Sequence, residues 1–157
     1  MREQTILRLS MLDRLIDRDP GVSHEPVQSR YVTITQIRDS VIRDLENLLN
    51  TRRCILEVPE SFAQVNASVF TYGLKDFMSH NPRSPSVRLQ IRQEVERTIA
   101  LFEPRLRNVS VRIDGAEIID RSLRFRINAL LVADPVTEPI TFDTYLDINR
   151  GEFVIAR

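Results

Sequence analysis

Leu101-Phe102-Glu103-Pro104-Arg105-Leu106 stands where one periodicity gives way to another. Upstream, Leu89, Ile91, Val95, Ile99 and Phe102 recur at helical spacing, and Ser84-Pro85 supplies an N-cap and a proline for the first helical position. Downstream the period is two: Val109, Val111 and Ile113 alternate with Ser110 and Arg112. Pro104 forces the helix to stop. The acid and base that flank it need a separate explanation. A carboxylate at a helix C-terminus meets unpaired carbonyls and is disfavoured by a few tenths to about 1 kcal/mol. An intramolecular Glu103–Arg105 pair offsets that and, if exposed, contributes roughly 0–1 kcal/mol. Alternatively, Glu103 or Arg105 meets a group on another protein, with Phe102 and Leu106 framing a rigid, directional docking point.

The same change of period organises the whole chain. Before the junction, Ile37, Val41, Leu45, Leu48 and Leu49 form one stripe of a helix over 35–50. Thr33 or Thr35 can cap its start and Asn50 can close its end, while Arg38, Asp39, Arg43, Asp44 and Glu46 face out. Ile6, Leu9, Leu12, Leu15 and Ile16 predict a short amphipathic helix over 5–17, with Arg8, Asp13 and Arg14 between them. Asp19-Pro20-Gly21 stops it, and 19–30 reads as a linker. Residues 51–83 are irregular but apolar enough to pack on a core, with a helical turn over 68–73 that Gly73 ends.

After the junction, Asp114-Gly115 marks a turn. Phe125, Ile127, Ala129 and Leu131 alternate with Arg124, Arg126, Asn128 and Leu130, and Asp134 to Pro139 reads as a proline-bounded turn. Ile140, Phe142, Thr144, Leu146 and Ile148 alternate again, Arg150-Gly151 turns, and 152–156 can form a last short strand. Helices first and strands second predict an α+β fold, N-terminal helices followed by a small antiparallel β-meander in one compact domain. The expected division is 1–30 for the N-terminal helix and linker and 31–157 for the domain.

Composition excludes several function classes. The 22 basic and 22 acidic residues cancel, which argues against a nucleic-acid binder. Arg121, Arg124 and Arg126 read instead as one solvated strand face. His24 and His80 stand alone, and Cys54, the one cysteine, reads as a small core residue, so neither a metal site nor a cofactor is expected. A phosphate cradle is implausible with four glycines. No tryptophan is present to floor a sugar cleft, which lowers the odds of the alternative function, a peptidoglycan-cleaving, lysozyme-like hydrolase using Glu103 as acid and Asp143 as its partner. The N-terminus lacks a signal-peptide core and no apolar run approaches a membrane span, so the chain reads as cytoplasmic.

Several segments, in order, resemble one family. Glu103-Pro104-Arg105 before a strand is similar to the Glu-Pro-Arg motif of the phage baseplate wedge family often labelled lysozyme-like, whose bacterial branch is the TssE baseplate subunit of the type VI secretion system. Ser10-Met11-Leu12-Asp13-Arg14-Leu15 looks like that branch's N-terminal Leu-x-Arg-Leu segment. The run from Arg43 to Arg52 resembles its RDLExLLNTR helix end. Ser68-Val69 and Tyr72-Gly73-Leu74 match its S-V-x-x-Y-G-L stretch, with Lys75 where the family has proline and Asp76 following. The Phe142-Asp143-Thr144 strand also fits.

The resemblance implies structural work without catalysis or cofactor. Phe102, Glu103, Pro104, Arg105 and Leu106 would dock on the wedge subunits TssF and TssG. A strand set marked by Phe142, Thr144, Leu146, Phe153 and Ile155 would template the TssB–TssC sheath by strand addition. The N-terminal helix would either dock on a partner or fold back on its own domain.

Overall fold

The computed structural model describes residues 10–16, 20–21, 33–77, 81, 84–119 and 122–156. His24, His80, Arg121 and the first residues of the expected N-terminal helix, Ile6 to Leu9, lie outside the described residues, as does most of the expected linker.

Helix α1 spans Met11–Leu15, α2 Ile34–Asn50, α3 Ala63–Asn66 and α4 Pro85–Phe102. Strands β1 (Leu106–Ile119), β2 (Ser122–Ala133), β3 (Val136–Asp147) and β4 (Glu152–Ile155) follow. Each strand pairs antiparallel with the next, in the order β1-β2-β3-β4. The fold is the expected α+β meander, with helices before strands.

Helix α2 starts at a capping box. The Thr33 hydroxyl accepts from the Gln36 N–H at 3.3 Å, and the Gln36 side chain accepts from the Thr33 N–H at 2.9 Å. Ile37, Val41, Leu45 and Leu48 then run along its buried face. In α4 the buried stripe is Ile91, Val95, Thr98 and Ile99. Leu89, expected on that stripe, is exposed. At about 100° per residue it lies roughly 200° from Ile91, on the far side of the helix.

The sheet turns Leu123, Phe125, Ile127, Ala129 and Leu131 of β2 inward, and Ile140, Phe142, Thr144 and Leu146 of β3 lie opposite them in register. Three turn expectations are corrected. Asp114-Gly115 does not reverse the chain; β1 runs on to Ile119, and the pairing with β2 instead slips between Asp114 and Ile119. The β2–β3 turn is Asp134-Pro135 alone, joined by a cis peptide, and Pro139 lies inside β3 opposite Leu130. Proline has no N–H for a second ladder, and none is needed there because β4 pairs with β3 only from Thr144 onward. Asn50 does not cap α2 through its own turn. Its amide donates to the Phe153 carbonyl at 2.9 Å and accepts from the Phe153 N–H at 2.7 Å, tying α2 to β4.

The segment 51–77 is ordered by backbone bonds and by a few side chains on the core, Leu74 buried and Tyr72 and Phe77 partly so. Arg53 N–H donates to Leu74 O at 2.8 Å and Leu74 N–H to Thr51 O at 2.9 Å. The 3₁₀ turn Val69–Thr71 precedes Gly73, whose φ is 100°. A Cβ there would stand 2.3 Å from the Thr51 carbonyl oxygen, so only glycine fits. Other apolar side chains of the segment do not pack as expected: Ile55, Leu56, Phe62, Val69 and Phe70 face solvent, and Cys54 is exposed rather than a core residue.

Candidate docking site

Glu103 is the C-cap of α4, its N–H donating to Ile99 O at 2.9 Å. Arg105, two residues on, is tied to the sheet, since Val132 N–H donates to its carbonyl at 2.8 Å. Pro104 is the exposed apex of the corner between helix and sheet. Leu106 drops into the core, and Phe102 is half-buried, edge-to-face on Tyr72 at 5.3 Å.

The two charges flanking Pro104 do pair, but inside the molecule rather than at its surface. Glu103 is only 4% exposed. Arg105 forks onto it, Nε to Oε1 at 2.7 Å and Nη2 to Oε2 at 2.6 Å. This fork offsets the unfavourable helix terminus. Nη2 also donates to Asp44 Oδ2 at 2.6 Å, and Nη1 to Ser40 Oγ at 3.0 Å. A guanidinium carries five N–H donors, so one Nη1 N–H takes no partner among the described residues.

The network continues into the N-terminal helix. Ser40 Oγ donates to Asp13 Oδ2 at 2.6 Å, and Arg43 Nη2 donates to Asp13 Oδ1 at 2.8 Å and to Asp44 Oδ1 at 2.9 Å. Asp13, Arg43, Asp44, Arg105 and Ser40 therefore close a ring, with Glu103 attached at Arg105. Burial works to raise the Asp13 pKa, but hydrogen bonds from Ser10, Ser40 and Arg43 outweigh it and hold the carboxyl at about 2. The Arg43 pKa is raised chiefly by its bond to Asp13. Burial works to lower that of Arg105, and Glu103 and Asp44 reverse it into a rise. Burial, then the charges of Asp44 and Glu103, raise the Tyr72 pKa.

Sequence reasoning finds the Glu103–Arg105 pair and misses Asp13, Ser40, Arg43 and Asp44. One signal is present. Ile37, Ser40, Val41 and Asp44 share the i, i+3, i+4 spacing of the buried stripe, which puts Ser40 and Asp44 at its margin.

The strand residues lie together elsewhere. Phe142, Thr144, Leu146, Phe153 and Ile155 are all buried on the inner face, with Thr144 opposite Ile155 and Leu146 opposite Phe153. The β4 backbone is engaged by α2. Besides the Asn50 clamp on Phe153, Glu46 accepts from the Ile155 N–H at 3.4 Å. Asp143, on the opposite, exposed face of β3, pairs with Arg126 at 3.1 Å, so it shares no cleft with Glu103. Arg124 lies over the Tyr145 ring at 5.5 Å. Among the described residues no group of three or more His, Cys, Asp or Glu could hold a metal ion, and no helix is long and apolar enough to cross a membrane.

Comparison with curated proteins gave no match. Comparison with protein families matched residues 35–136, well over half of the chain, to the family described as baseplate wedge protein gp25. The matched span runs from the start of α2 to the start of β3 and contains the whole Glu-Pro-Arg corner. With its helices-then-meander order, the chain belongs to the baseplate wedge protein gp25 family.

Proposed function

We propose that this chain is a structural, non-enzymatic baseplate subunit of a contractile injection machine, of the type VI secretion branch. It docks onto the wedge subunits TssF and TssG through the Glu-Pro-Arg corner. It works in the cytoplasm, at the membrane-proximal baseplate, and needs no cofactor.

The observation that carries this reading is the ionic support beneath the corner. Glu103, Asp44 and Ser40 hold Arg105 from inside, Pro104 stands exposed at the apex, and one Arg105 N–H is left for an acceptor on a partner. Glu103 and Leu106 thus act by positioning, while Pro104, Arg105 and the half-buried Phe102 supply the contact surface. The exposed apolar side chains Ile55, Leu56, Phe62, Val69 and Phe70 on an ordered segment also favour a protein that works covered by neighbours.

The sheet is the second part of the same reading, with strands 140–155 as the template for the first TssB–TssC sheath ring. Phe142, Thr144, Leu146, Phe153 and Ile155 anchor those strands to the core, so strand addition draws on backbone groups. Among the described residues, the start of β3 as far as Phe142 has no strand beside it on the β4 side, so Ile140 to Phe142 give that template an edge open to strand addition.

The test is affinity purification of the tagged protein from its native cell. Recovery of wedge subunits that is lost in a folded Pro104→Asp variant supports the docking claim. Equal recovery from the two proteins contradicts it.

A further inference from the structure

Helix α1 shows an inversion. Its expected outward acid, Asp13, is 7% exposed, while Met11, Leu12, Leu15 and Ile16 face solvent. Asp13 is the one buried residue of the helix. A single turn of helix has no stability of its own in water. The structure therefore holds this segment by a carboxylate rather than by an apolar face.

The receiving site is well defined. Ser40 is 1% exposed and lies on the buried face of α2. Its hydroxyl donates to Asp13 Oδ2 at 2.6 Å, and Arg43 Nη2 donates to Oδ1 at 2.8 Å, so each carboxylate oxygen has its own donor from α2. Ser10 caps the turn and donates to Oδ2 as well, at 2.6 Å, presetting the carboxylate for capture. Ser40 Oγ also accepts from Arg105 Nη1 at 3.0 Å. One hydroxyl thus links Asp13 to the guanidinium beneath the Glu-Pro-Arg corner, although Asp13 and Arg105 share no direct bond among the described residues.

We propose that Ser40 and Arg43 form a carboxylate-binding site, that Asp13 is its ligand in cis, and that α1 is a reversible latch whose closure braces Arg105. Opening the latch removes the hydrogen-bond acceptor of Ser40 and one of the two carboxylates on Arg43. Arg43 remains paired to Asp44, so the domain keeps a balanced set of two acids and two arginines when α1 leaves. The latch is therefore separable from the fold. If the corner docks as proposed above, occupancy of the latch and engagement of Arg105 are thermodynamically coupled. That coupling rests on the proposed function; the latch itself does not.

The test uses the full chain and two variants, Asp13→Asn and Ser40→Ala. Amide hydrogen exchange is read over 11–16 and over α2 and the sheet, together with the NMR signal of the Arg105 Nε–H. The expected result is a loss of protection over 11–16 of about tenfold or more in both variants, as a charged hydrogen bond is lost. Protection of the sheet stays, and the Arg105 Nε–H signal shifts. In the unmodified protein, 11–16 must exchange faster than α2. Unchanged protection over 11–16 in Asp13→Asn overturns the carboxylate key. An unmoved Arg105 signal overturns the bracing. Protection over 11–16 equal to that of α2 in the unmodified protein overturns reversibility. Purifying partners with the Asp13→Asn protein then tests the coupling alone.

Discussion

Arg105 shows how far a single side chain can differ from its local sequence context. Two residues from Glu103, it reads as half of an exposed pair worth little. Burial changes the stakes, because removing one member strands a charge away from water. Arg105→Ala is expected to lower unfolding stability by about 3–5 kcal/mol, measured by urea denaturation; Glu103→Gln should cost less, because Arg105 keeps its bond to Asp44. Arg105→Lys keeps the charge but loses the fork onto Glu103 and recovers only part of the Arg105→Ala loss. Asp13 gives a pH signature with a definite sign. Its carboxyl is held at about 2, below the ordinary 3.8. The stability it contributes is fully present above 3.8 and disappears as pH falls through about 2. The effect is roughly 2 kcal/mol at most. Acid titration of the full chain should show an early loss of α1 that is absent from Asp13→Asn, and coincident profiles would refute it.

At the scale of elements, the readable features are those fixed by local chemistry. The capping box of α2, the proline-led start of α4 and the alternation of β2 and β3 all follow from neighbouring residues. The misread features depend on distant partners. Asp134 to Pro139 resembles a long turn because two prolines bound it, yet Pro139 is tolerated inside β3 only because β4 stops short of it. Asn50 resembles a helix terminator, yet its side chain bonds Phe153, 103 residues away. Asn50→Ala should cost about 1 kcal/mol or more by leaving those two backbone groups without a protein partner. It should also raise self-association at the freed β4 edge, measured by light scattering. Leu89→Ser, on the outward side of α4, should change stability by no more than about 0.5 kcal/mol. A larger loss would place Leu89 in a packed contact.

For the molecule as a whole, the order of helices and strands is legible in one sequence because the change of period at 101–106 is sharp. The Glu-Pro-Arg corner is half legible. Its two central charges are neighbours, but the groups that fix them are not, since Asp44 and Ser40 lie 61 and 65 residues before Arg105. Asp13 lies 27 before Ser40. No local pattern encodes such distances, and an acid among apolar helix residues reads as outward-facing until its receptor is seen. Together these long-range bonds make the N-terminal segment, α2 and the helix-to-sheet corner one supported structure, with Pro104 at its exposed tip. In the proposed role this tip meets the wedge. Purifying the tagged protein and its Pro104→Asp variant from the native cell, and comparing what accompanies each, tests that contact. Position 104 is exposed and outside the ionic ring, so the variant should still unfold cooperatively, less stable by no more than the roughly 1 kcal/mol that an added carboxylate at the helix terminus costs. Wedge subunits accompanying the unmodified protein and missing from the variant are the predicted result. Equal recovery with both, or recovery of the unmodified protein alone, would contradict it.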